Sequence, residues 1–155
     1  MPGGQKSRFA GRGDGRSAVL FTSDQLFIPQ LLEEAGNLDV LIHCAGVFHT
    51  GRMEQASIED LDSQNSANVR APYLLTRRLL PLLTAAHGQI VFINSSAGLR
   101  AKQAELGEYA ATKHALKAIA DSLHEELNPK GVHALMLQPP AEVTDISMRP
   151  TRKPY

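Results

Sequence analysis

The amino-acid sequence predicts an α/β fold, a parallel sheet with helices packed on its faces. Two patterns point there. Short runs of branched and aliphatic residues, DVLIHCA at 39–45 and QIVFIN at 89–94, have the length and composition of buried strands. Between and after them, longer stretches place apolar residues at helical spacing, most clearly over 108–127. Strand and helix alternate along the chain, and a parallel pair needs a crossover long enough to hold a helix.

Residues 1–17 are rich in Gly, Arg and Ser without periodicity and read as a disordered tail, with 18–155 as the folded domain. AVLF at 18–21 reads as a short strand. Ser23 or Asp24 can cap a helix reaching about Ala35, with Leu26, Phe27, Leu31 and Leu32 as its apolar positions. The turn Gly36-Asn37 leads into the strand at 39–45. Ser57-Ile58-Glu59-Asp60 resembles a capping box with Asp in the Glu position. It opens a long Leu-rich helix that Pro81 is expected to kink or break. The helix at 108–127 ends at Asn128-Pro129, and a strand over 132–137 stops before Pro139-Pro140.

Composition narrows the function classes. The 155 residues, 43% of them apolar, suffice for one hydrophobic core. Lys plus Arg and Asp plus Glu stand at 16 each, so no net field recruits nucleic acid or an acidic membrane surface. No apolar run approaches the roughly 20 residues that cross a bilayer, and residues 1–17 lack the apolar stretch of a secretory signal. The single cysteine, Cys44, excludes an internal disulfide and suits a reducing compartment, so a cytoplasmic location is expected. The six histidines form no metal-ligand spacing with Cys or carboxylates, and no metal site is expected.

In open parallel sheets, ligands bind beyond the carboxyl ends of the strands. Ala45-Gly46, Ser95-Ser96 and Pro139 all fall at such ends. Tyr109 and Lys113 stand four apart in the helix 108–127, on one face, where they can address one ligand. A free phenol, with a pKa of about 10, is a poor proton donor or acceptor at neutral pH. A nearby ammonium favours the phenolate and brings the group toward the working range.

With Asn68 in the long helix, Ser96 after a strand and LDVLIHCAG at 38–46, this ordered set resembles the short-chain dehydrogenase/reductase family over about residues 20–150. The resemblance implies a Rossmann-like, doubly wound sheet with helices on both faces. It also implies an oxidoreductase that moves a hydride between NAD or NADP and a small carbonyl or alcohol substrate. By the same resemblance Tyr109 is the acid–base group, and Lys113 tunes it and holds the nicotinamide ribose. Ser96, rather than its neighbour Ser95, polarises the substrate carbonyl, and Asn68 supports a water-linked proton relay. Ala45, Gly46, Pro139 and Thr144, with Tyr109 and Lys113, line the cofactor. The long helix and the Tyr/Lys helix make a homo-oligomer, commonly a dimer, in the family.

Departures from the family pattern bear on this expectation. His43 and Cys44 replace asparagines, Pro140 replaces a glycine, and Leu20 or Phe21 stands where an aspartate contacts adenine. Gly11–Gly15 is glycine-rich but lacks the strand–turn–helix setting of a phosphate loop. The first two strands and the last strand of the fold are expected to be missing. The edge of 39–45 would then be open, with 18–21 filling the slot or loosely ordered, and cofactor affinity would be weak. The alternative function is a non-catalytic remnant acting as an interaction or dimerisation module.

Overall fold

The computed structural model describes residues 8–9, 20–21, 37–101 and 103–139. Three parallel strands form its sheet: β3 (Val40–His43), β4 (Gln89–Ile93) and β5 (His133–Leu137), in the spatial order β3-β4-β5. Two further strands, β1 (Arg8–Phe9) and β2 (Leu20–Phe21), pair antiparallel with each other. The crossover from β3 to β4 holds α1 (Ile58–Asn65), a π-helical turn (Ser66–Arg70) and α2 (Ala71–Ala86). The crossover from β4 to β5 holds α3 (Gly107–Leu127).

Register explains the core. Leu41, Ile90 and Ala134 pair across the three strands, as do His43, Phe92 and Met136. Alternate residues of a strand face opposite sides, so these two rows share one face. That face meets Leu75, Leu79 and Leu83 of α2 and Leu116, Ala120 and Leu127 of α3. Fully burying one such Leu or Phe contributes about 1.5–3 kcal/mol. On the opposite face Val40, Ile42 and Val91 are half-buried and Leu135 is exposed. The helix expected to end near Ala35 lies outside the described residues.

Ser57 caps α1, its hydroxyl accepting from the Asp60 N–H at 3.0 Å, as the capping motif implies. The Asp60 carboxylate faces His49 Nδ1 at 3.4 Å. The long helix does not break at Pro81: α2 runs through it to Ala86. Pro81 is solvent-exposed, and so is Arg77, whose carbonyl loses its partner there and can turn to water. The irregularity falls earlier, at Ser66–Arg70, where the Ala71 N–H reaches back five residues to the Ser66 carbonyl. Pro72 supplies a cause, since it offers no N–H and its ring crowds the carbonyl four residues before it.

At the amino end, 18–21 was expected to fill the slot beside β3 or to stay loose. Leu20–Phe21 comes within 8 Å of β3 but takes its ladder from Arg8–Phe9. An extended pair within 1–17, a stretch expected to lack structure, provides that competing edge. The rest of that stretch lies outside the described residues.

Candidate active site

The π-helical turn brings Asn68 inward, to 1% exposure. An extra residue in a helical turn re-aims the side chains around it, which is why such turns recur at functional sites. Asn68 Oδ1 accepts from the Val47 N–H at 2.8 Å, and Nδ2 donates to the Val47 carbonyl at 2.9 Å. Nδ2 also donates to Thr112 Oγ1 at 3.1 Å, and Thr112 in turn donates to the Tyr109 carbonyl at 2.8 Å. One carboxamide thus joins the loop after β3 to the helix that carries Tyr109 and Lys113.

Tyr109 and Lys113 lie one helical turn apart and are both buried. Lys113 Nζ stands over the Tyr109 ring, 5.6 Å from its centroid, and donates to the Ile93 carbonyl at the end of β4 at 3.3 Å. Burial pushes the Lys113 amine below its ordinary pKa. Burial also pushes the Tyr109 phenol above 10, opposed by a hydrogen bond from the Ser95 side chain. The ammonium addresses the face of the ring, and desolvation of the phenolate outweighs it.

The Ser95 side chain therefore meets the phenol. Its hydroxyl also accepts from the Ala97 N–H at 3.3 Å, capping the short turn Ser96–Gly98. Gly98 is closely required in that turn, because a Cβ there would stand 2.5 Å from Asn94 Nδ2. Asn94 is buried beneath it and donates to the Lys113 carbonyl at 3.3 Å. Among the described residues its Oδ1 has no hydrogen-bond partner.

Gly46 shapes the opposite wall. A Cβ on it would stand 3.0 Å from Asn68 Oδ1 and 3.9 Å from Lys113 Nζ. Only bare backbone leaves that space open, as close approach of a flat ligand requires. Ala45 and Gly46 are exposed at the mouth of the sheet, and Pro139 is half-buried two residues beyond β5. Thr144 lies outside the described residues. The expected positions Asn68, Gly46, Tyr109 and Lys113 thus come together, and the Ser95 side chain joins them at the phenol.

The chain matches the short chain dehydrogenase family over residues 22–154. It belongs to the short-chain dehydrogenase/reductase family. It is 38% identical over 139 residues to an NADPH-dependent 3-dehydrocapnine reductase of Ornithobacterium rhinotracheale, covering 83% of this chain and 49% of that protein. A short-chain dehydrogenase structure from Streptomyces avermitilis superposes with a TM-score of 0.69 at 31% identity, over 74% of this chain and 42% of that one. A Burkholderia cenocepacia short-chain dehydrogenase in complex with NADP gives 0.67 at 29% identity, over 72% and 45%. The chain spans less than half the length of each of these relatives.

Three residues escaped the sequence reading. Phe48 packs edge-on against the Tyr109 ring, centroids 4.7 Å apart. Gln64, fully buried in α1, bonds the His49 N–H and the Glu108 carboxylate. Thr112 is the buried link described above. Gln64 was discoverable in principle, because it stands four residues before Asn68 and repeats its carboxamide on one helix side. His43, where the family has asparagine, turns inward to Thr76 Oγ1 at 2.7 Å and stacks on Phe92. Among the described residues no cluster of three metal-ligating side chains occurs.

Proposed function

We propose that this chain carries the proton-handling half of an NAD(P)-dependent oxidoreductase acting on a carbonyl or alcohol substrate. The observation that carries the reading is the convergence of the Tyr109 phenol, the Lys113 amine, the Ser95 hydroxyl and the Asn68 carboxamide. NAD or NADP fits the residues present: Gly46 leaves a space free of side chain beside Asn68 and Lys113, and Lys113 could hold the ribose there. When bound, the cofactor supplies the hydride.

This chain's own groups manage the proton and the geometry. Tyr109, protonated at neutral pH as any phenol is, donates to the substrate oxygen as negative charge grows on it. Ser95, whose side chain meets the phenol, would donate to the same oxygen. Asn68, pinned between Val47 and Thr112, fixes the loop against the helix.

Substituting Tyr109→Phe removes the proton and keeps the ring. With NADPH and a panel of small aldehydes and ketones, turnover should fall by about 10²–10⁴-fold. Equal turnover by wild type and Tyr109→Phe would transfer support to the non-catalytic, interaction-module reading.

We also read the chain as a homo-oligomer. A cavity of about 280 Å³ opens along α1, the π turn, α2 and α3, lined by Asn65, Val69, Arg70, Tyr73 and Ile119. No described helix is long and apolar enough to cross a membrane. The single cysteine favours the cytoplasm, where a blue-native or fractionation experiment on tagged protein would find it.

A further inference from the structure

The loop after β3 is held by its main chain. The Val47 N–H goes to Asn68 Oδ1 at 2.8 Å, the His49 N–H to Gln64 Oε1 at 3.2 Å, and the Gly51 N–H to the Glu105 carbonyl at 3.0 Å. The three amides alternate along the chain, as on one edge of a strand. The match is geometric. Four residues of helix rise about 6 Å, and two residues of extended chain rise about 6.6 Å. Gln64 and Asn68 can therefore accept from alternate amides of a segment lying alongside. The intervening residue, Phe48, is turned toward Tyr109, whose ring it meets at 86°.

Gln64 does more than accept. Its Nε2 donates to Glu108 Oε2 at 3.2 Å, and Glu108 directly precedes Tyr109. Gln64 is 0% exposed. A carboxamide in such a place is stable only if both ends are bonded. Here one end takes the loop and the other takes the start of α3. Arg52 adds an outer tie, Nε to Glu105 Oε1 at 3.2 Å.

We propose that Gln64 is a positioning residue: with Glu108 it latches the loop 46–52 to the start of α3 and so holds the Phe48 ring as a wall against Tyr109. The wall gives the phenol an apolar neighbour, and the group beside the reacting carbonyl must share that space with an aromatic edge. This deepens the acid–base reading of Tyr109 by assigning what shields it.

The chain has no tryptophan and three tyrosines, so in a Tyr73→Phe/Tyr155→Phe background the emission belongs to Tyr109 alone. Acrylamide quenching of that emission reads the shielding without any turnover. Gln64→Leu and Gln64→Glu should each raise the quenching constant several-fold, the second because two carboxylates then face each other. Phe48→Ala should do the same from the loop side. The double variant Gln64→Glu/Glu108→Gln restores a donor and an acceptor with the roles exchanged, and should return quenching to the starting value. Unchanged quenching in the folded single variants, or a double variant no better than Gln64→Glu, would overturn the proposal. Should Gln64→Leu fail to fold by circular dichroism, Phe48→Ala and the exchange pair decide it. A Tyr109→Phe protein that keeps its activity would end the acid–base reading while leaving this result intact.

Discussion

Ser95 and Ser96 show what single residues add to a pattern. Both follow the strand β4, and neighbouring positions of an extended chain point to opposite sides. Which hydroxyl reaches the phenol depends on where extension stops. β4 ends at Ile93 and the turn starts at Ser96, so Ser95 keeps an extended backbone and bonds inward. The sequence alone carries no mark of that one-residue boundary. Ser95→Ala should therefore lower turnover by about 100-fold, the scale of losing one donor to a developing oxyanion. Ser96→Ala should stay within a few-fold of wild type in the same assay. The reverse ranking would restore the sequence-based choice. By contrast Tyr109 and Lys113 were legible at once, because an i, i+4 pair in a regular helix shares a face whatever the tertiary context.

At the level of elements, strands β3, β4 and β5 and helix α3 were readable because their apolar periods are unbroken. The crossover helix was half readable. Its Ser57 cap is local chemistry, visible in four consecutive residues. Its irregularity was assigned to Pro81 when it lies at Ser66–Arg70, next to Pro72. A proline disturbs the turn before it, yet the cost depends on whether the freed carbonyl finds water, which is a matter of burial rather than sequence. That π turn sets the outer face of the crossover as well as Asn68. Tyr73, one turn on, is 52% exposed beside Val69 and Ile119 of the cavity noted above. If this face joins two copies, Tyr73→Glu should shift the sedimentation coefficient from that of a dimer to that of a monomer. A wild type that already sediments as a monomer would remove the assignment.

For the molecule as a whole, the parallel sheet followed from alternation, whereas the antiparallel pair β1 and β2 did not. Two-residue strands carry too few side chains to register as a period. His43 was equally opaque: sequence marks it as a departure, and only packing shows it as part of the core. Burial holds its imidazole at about 4, against an ordinary 6.5. In the unfolded chain the ring takes up a proton near pH 6.5, while the folded protein resists until about pH 4. The unfolded state thus binds more protons across that window, and stability falls as pH falls through it, by about 3 kcal/mol in total. Above pH 6.5 the contribution is fully present. His43→Asn, measured beside wild type by urea denaturation at several pH values, should flatten this part of the slope. Parallel slopes in the two proteins would refute the assignment.

The amides of Val47 and His49 are gripped by Asn68 and Gln64, and an amide is common to nineteen of the twenty residue types. Selection can therefore rewrite the side chain at 48 without dislodging the backbone beneath it. Proline is the exception at 47 and 49, where it would delete the gripped hydrogen itself. In a saturation library spanning this stretch, proline should be the residue missing from the active clones at those two places.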